Sequence, residues 1–165
     1  MIPSLDAIKA INGERQGAII VSTMTPNRYQ ELVSTDPDLD VPIFGAMGKA
    51  SSVALGLALA RPDKKVLVLD GDGGLLMNLG SLVTIAGMAP ENLVHFCFED
   101  GVYQTTGAQP VPGAGVFDLE GIARGAGIKE SYTFDNLEDF VSELPSVFEK
   151  SGPVFVNLKI EHPPE

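Results

Sequence analysis

The chain is 165 residues long, 44% hydrophobic, and carries 22 acidic against 11 basic residues for a formal net charge of −11. That length suits one domain, residues 1–165, with a core of its own, and the acidity excludes a nucleic-acid or anionic-membrane partner, which needs a basic face. No apolar run approaches the roughly 20 residues of a membrane span, the start "MIPSLDAIKAING" has no leader pattern, and the single cysteine, Cys97, fits a reducing compartment, so a cytoplasmic protein is expected.

"SLDAIKAIN" sets Leu5, Ile8 and Ile11 at helical spacing. "GAIIVST" reads as a buried strand, after which Thr25 and Pro26 form the N-cap and first position of a helix. "VPIFGAMG" is a short strand running into a glycine-flanked loop. "KASSVALGLALA", Lys49 to Ala60, is a helix of small residues suited to close packing or a subunit contact. "KKVLVLDGD" is a second apolar strand, "LLMNLGSLVTIAGM" a helix, and "NLVHFCFEDG" a third strand whose His95 and Cys97 belong to the core. Beyond the Pro/Gly-rich "GAQPVPGAGV", "FDLEGIARGAG" is a helix. Asp135 and Glu138 then form the capping box of another, and "GPVFVNLKIE" closes the chain as a strand. Alternating strands and helices predict an α/β fold. Strands apolar along their whole length predict burial on both faces, hence a three-layer, doubly wound, mainly parallel sheet with helices on both faces.

Open parallel sheets bind ligands outside the carboxyl ends of their strands, where this chain places its unusual residues. One strand delivers Gly71-Asp72-Gly73-Gly74; the next delivers Glu99-Asp100-Gly101, with 25 residues between Gly73 and Glu99, enough for one helix and one strand. Two carboxylate tips at one edge repel unless a cation lies between them, and Mg²⁺ completes its oxygen shell with phosphates and water. Glycines let backbone N–H groups approach phosphate oxygens, and a helix beginning near Leu75 adds its positive end. The pattern reads as a metal–diphosphate site with Asp72 on the metal. Taken alone, Gly-Asp-Gly is also an ordinary turn. Of the basic residues, Arg28 and Lys49 stand nearest this site in sequence and are candidates to meet an anionic substrate; Tyr103, Thr106 and Gln109 follow the second tip as candidate pocket residues.

"GDGGLLMNLGSLVTIAGMAPENLVHFCFEDGVYQTTGAQ", with "FGAMGKASSVALGLALA" upstream, resembles the diphosphate-binding domain of the thiamine-diphosphate-dependent 2-oxo-acid decarboxylases. It is most similar to the sulfopyruvate decarboxylase beta subunits and to phosphonopyruvate decarboxylase, over nearly the whole chain. The resemblance implies thiamine diphosphate and Mg²⁺ as cofactors. Asp72, Asp100 and the backbone carbonyl of Val102 fall on the family's metal ligands, and Met47 on the apolar residue that bends the cofactor. Gly45, beside Ala46, falls where a carbonyl meets its amino group. Thr23, Thr25, Gly71, Gly73 and Gly74 fall beside the diphosphate and Tyr103 along the pocket, with Lys49, Gln104 and Thr106 toward the substrate. The family has Asn where this chain has Asp100, which makes the metal–diphosphate cluster one charge more negative. The implied activity is decarboxylation of an anionic 2-oxo acid, 3-sulfopyruvate to sulfoacetaldehyde and CO₂ first and phosphonopyruvate second. The glutamate that activates the cofactor in this family sits on a separate pyrimidine-binding domain. No catalytic residue is therefore expected on this chain, and an alpha subunit is expected to join it in a heteromer with sites at the interface. A carboligase subunit of the acetolactate synthase kind, and a non-catalytic module for a phosphorylated ligand, remain alternatives.

Overall fold

The computed structural model describes residues 1–161. In chain order it comprises α1 (Ser4–Gly13), β1 (Ile19–Thr23), α2 (Met24–Val33), β2 (Asp40–Ile43), α3 (Ala50–Ala60), β3 (Val66–Gly71), α4 (Asp72–Leu76) and α5 (Gly80–Met88). There follow β4 (Leu93–Glu99), β5 (Val102–Tyr103), β6 (Gln109–Pro110), α6 (Leu119–Ala126), β7 (Glu130–Phe134), α7 (Leu137–Glu149) and β8 (Val154–Lys159). Six strands form one parallel sheet in the order β2-β1-β3-β4-β8-β7, while β5 and β6 make a small antiparallel hairpin.

Period-two alternation explains how strands that are apolar throughout serve two cores. On β3, Leu67 and Leu69 face one layer with Phe96, Val156, Ile8 and Ile11 of α1 and Phe140 and Leu144 of α7. Val66 and Val68 face the other, with Ala54 and Ala58 of α3, Leu82 of α5 and Leu119 and Ala123 of α6. The result is the expected three-layer, doubly wound α/β fold. Among the described residues no helix is long and apolar enough to cross a membrane. Beyond β1 the chain runs outward to β2 and then returns to the other side of β1 as β3, so the strand order reverses at β1 and β3. Their carboxyl ends open a crevice at that point, the place where such sheets bind ligands.

Three local expectations change, and one strand is added. Helix α2 begins at Met24 rather than after Thr25, and its N-cap Thr23 spends its hydroxyl on Ile43 O at 3.1 Å. The cap of α7 is Asn136, whose Oδ1 accepts the N–H groups of Glu138 and Asp139, and not Asp135. The helix expected over 75–88 is two, α4 and α5, because Asn78 turns its amide to Gly48 O at 2.8 Å. Strand β7 was hidden by its composition: "ESYTF" buries only Ser131 fully and carries no apolar run. At the opposite edge, Arg15 is buried and ion-paired to Asp40 at 2.8 Å, with Nε donating to Ala18 O at 2.9 Å. This ties β2 to the end of α1.

Candidate functional site

Four segments line one cleft at the carboxyl ends of β1, β3 and β4: Met24–Pro26, Met47, Gly71–Gly74 and Asp100 with Val102–Thr105. Phe98 and Ile160 add apolar wall. The two acidic tips are bonded to each other, since Gly101 N donates to Asp72 Oδ2 at 2.8 Å while Gly73 N donates to Asp72 Oδ1 at 2.7 Å. Each carboxylate oxygen of Asp72 therefore has one backbone donor that fixes it and a second lone pair to offer. Asp100 Oδ1 accepts from Val102 N at 3.1 Å, an Asx turn that orients the second tip. Burial, helped by the charges of Asp100 and Glu99, pushes Asp72 up to about 6 against the two backbone hydrogen bonds. A cation in the cleft would relieve that strain.

Glu99 itself is committed elsewhere. It is ion-paired to Lys159 and accepts from Asn157 Nδ2 at 2.6 Å, both on the adjacent β8. That leaves Asp72 and Asp100 as the carboxylates on the cleft. Among the described residues no three His, Cys, Asp or Glu side chains gather around a metal position. A metal held here needs oxygen from the backbone and from its ligand, which is how Mg²⁺ is usually bound.

The glycines have a packing reason that spacing alone could not show. A Cβ at Gly73 would meet the Tyr103 ring at 2.6 Å, and one at Gly74 would meet Asp70 Oδ1 at 2.7 Å. Gly71 has open space around it. The helix expected near Leu75 begins at Asp72 and so contains most of the motif; this α4 has only five residues, so its dipole is a small contribution. Met47 lies in a loop whose Gly48 has φ +74°, a left-handed conformation that suits glycine, and a Cβ there would meet Asn78 Cβ and Gly74 O at 3.1 Å. Asn78 closes the clamp from the other side, so the Met47 loop is tied to the segment that follows the β3 tip.

Thr25, Met47, Gly71, Asp72, Gly73, Gly74, Asp100, Val102, Tyr103 and Gln104 thus come together in the cleft. Thr23, Gly45, Ala46, Lys49 and Thr106 do not line it: Thr23 is buried against Ile43, Lys49 is exposed, and Thr106 bonds Gln109 Oε1 at 2.9 Å. Met24, Pro26, Phe98, Thr105 and Ile160 join it without a sequence signal. Met24 holds φ +52°, strain of roughly 1–3 kcal/mol for a residue with a side chain, and it turns the chain from β1 so that Thr25 and Pro26 reach the cleft. Gln104 Oε1 is buried without a hydrogen-bond partner, an acceptor that a bound group could satisfy.

Behind the cleft, Asp70, His95 and Cys97 form a fully buried polar set. His95 Nε2 and Asp70 Oδ2 stand 3.8 Å apart, beyond a hydrogen bond. Burial opposes charge on both, pushing Asp70 up to about 7 and His95 down to about 3. It pushes the Cys97 thiol up as well.

Residues 18–158 match the family model for the thiamine pyrophosphate enzyme C-terminal TPP-binding domain. The chain is 36% identical to the sulfopyruvate decarboxylase subunit beta of Methanothermobacter thermautotrophicus, covering 98% of this chain and 83% of that one. It is 37% identical to the phosphonopyruvate decarboxylase of Streptomyces hygroscopicus over 93% of its own length, but spans only 38% of that protein. The fold superimposes at a TM-score of 0.80, with 19% identity, on a Mycobacterium smegmatis structure assigned to the thiamin diphosphate-dependent enzymes, covering 99% of this chain and 32% of that one.

Proposed function

Because the chain belongs to the thiamine pyrophosphate enzymes through their C-terminal TPP-binding domain, we propose that residues 1–165 form one such domain and supply the Mg²⁺–diphosphate half of a 2-oxo-acid decarboxylase. The observation that carries this reading is the hydrogen bond from Gly101 N to Asp72 Oδ2, which joins the two acidic tips at the crevice. In this reading Asp72, Asp100 and the Val102 carbonyl hold Mg²⁺, Gly71, Gly73, Gly74 and Thr25 face the cofactor, and Gln104 faces the substrate. When bound, thiamine diphosphate supplies the electron sink that decarboxylation requires. The chain's own part is to hold and orient. Gly73 and Gly101 fix the Asp72 carboxylate, Asn78 fixes the Met47 loop, and Met24, Met47, Phe98 and Ile160 keep water from the cleft.

The likeness to a protein named as a beta subunit supports a partner of the alpha kind, carrying the pyrimidine-binding half and the activating glutamate. Together they would act in the cytoplasm on an anionic 2-oxo acid, with 3-sulfopyruvate first and phosphonopyruvate second. Calorimetric titration of thiamine diphosphate with Mg²⁺ into the chain, alone and with its partner, tests this. Binding should require Mg²⁺, tighten with the partner, and vanish in Asp72→Ala. Undiminished binding by that variant would sink the assignment, and acetolactate rather than an aldehyde product would identify a carboligase instead.

A further inference from the structure

Beside the cleft runs a second groove of about 460 Å³, lined by Met24, Asn27, Arg28, Glu31, Phe44 and Gly45 among others. It shares Met24 and Thr105 with the cleft, so the two adjoin. Of the Lys and Arg side chains among the described residues, Arg28, Lys49 and Lys129 make no hydrogen bond or ion pair. Arg28 alone of these lines the groove.

Its freedom is arranged. Glu31 stands three residues on along α2, the natural spacing for an ion pair with Arg28. No such pair forms: Glu31 Oε1 accepts from Asn27 Nδ2 at 2.7 Å, which draws that carboxylate toward Asn27, and Asn27 Oδ1 in turn accepts from Ser22 Oγ at 2.6 Å. Ser22 and Asn27 are both buried, so this tether is anchored in the sheet. In a chain of net charge −11 an anion is repelled unless a cation is placed for it. The planar guanidinium suits a tetrahedral oxyanion through paired N–H donors, and Ile43, Phe44 and Met24 supply an apolar wall that strengthens the contact.

We propose that Arg28 receives the second anionic group of the substrate, a sulfonate or phosphonate tail at C3 of the 2-oxo acid, in the groove that adjoins the cofactor cleft. The inference rests on the decarboxylase reading above and adds the residue that sets its substrate preference. Arg28 is a binding residue here and takes no part in bond breaking.

The test uses the chain assembled with its partner subunit, as wild type, Arg28→Gln and Arg28→Lys. Steady-state kinetics are read with 3-sulfopyruvate, 3-phosphonopyruvate and tail-less pyruvate (as substrate or as competitive inhibitor), beside calorimetric affinity for thiamine diphosphate. Arg28→Gln should raise KM for the tailed acids roughly 10- to 100-fold, the loss expected for a hydrogen bond to a charged group. The constant for pyruvate and the cofactor affinity should move less than about twofold, and Arg28→Lys should recover part of the loss. The tail with the lower wild-type KM and the larger loss is the preferred one. Equal losses for pyruvate and the tailed acids, a parallel loss of cofactor affinity or of subunit assembly, or no change in any KM would each overturn the proposal while leaving the decarboxylase intact. A wild-type assembly that decarboxylates none of the three would remove the reading itself, and this inference with it.

Discussion

Gly73→Ala is the perturbation whose size the structure sets most directly. The new methyl would lie 2.6 and 2.7 Å from two carbons of the Tyr103 ring and 3.2 Å from Val111 Cγ1, where ordinary contact needs at least 3.4 Å. Tyr103 is only part-buried, so its ring retreats by nearly an ångström rather than the backbone yielding, and overpacking of this kind costs about 1–3 kcal/mol. Against that, alanine gains up to about 1 kcal/mol over glycine inside α4. The expected net loss is about 1–2 kcal/mol in a chain with Tyr103. With Tyr103→Ala the obstacle is gone, so the same substitution becomes neutral or stabilising by up to about 1 kcal/mol. Urea denaturation of the four proteins in a double-mutant cycle should therefore give a coupling energy of about 1–3 kcal/mol. If Gly73→Ala costs the same in both backgrounds, the ring is not what the glycine accommodates, and this account of the motif is wrong.

Two further outcomes concern buried charge. Arg15→Ala strips a buried ion pair from Asp40 and should lower stability by about 3 kcal/mol, read from the urea midpoint; a loss under about 1 kcal/mol would show that Gln30, 3.2 Å from both Asp40 oxygens, already suffices. His95 titrates near 6.5 when unfolded but is pushed down to about 3 by burial, so the unfolded chain binds the extra proton between those values. Its contribution is intact above pH 6.5 and is lost as the pH falls toward 3, at up to about 1.4 kcal/mol per pH unit. The wild-type minus His95→Leu difference in unfolding free energy should slope accordingly, and a flat difference would mean that His95 takes up its proton in the folded chain.

What was legible in the residues was whatever depends on local pattern. "VLVLD" and "LVHFCF" announce strands buried on both faces because no water-facing side chain interrupts them, and the two acidic tips at matching strand ends announce one site. Hidden were the features decided by distant partners. The break between α4 and α5 depends on Asn78 meeting Gly48, 30 residues away, and the weak helix formers Asn78 and Gly80 in "LLMNLGSL" permit it without fixing it. Strand β7 forms because β8 offers it a ladder, not because its own residues are apolar. Thr25 and Pro26 carry a good helix-start signal, yet the left-handed turn at Met24 begins α2 before them and gives both to the cleft. The small-residue spacing at Gly73 and Gly74 was visible, but its cause, the ring of Tyr103 and the carboxyl of Asp70, required the folded chain.

The strand order also has a consequence for how the chain is made. Strand β8 comes last in sequence among the described strands yet lies between β4 and β7, and its end and the residues just beyond it pair with Ile2 through Ile2 N to Lys159 O at 2.9 Å and Glu161 N to Ile2 O at 3.0 Å. During translation, every earlier strand can emerge while the edge of "LVHFCFE" still has no neighbour on that side. Until residues 154–159 clear the ribosome, that apolar edge is open to other chains, and β7 has no ladder to join. Long-range parallel pairing of this kind is slow and exposes nascent protein to aggregation. A ribosome-stalled chain ending before Val154 should therefore be captured by holding chaperones, whereas residues 1–165 stalled through an added C-terminal linker that carries residue 161 clear of the ribosome should escape them.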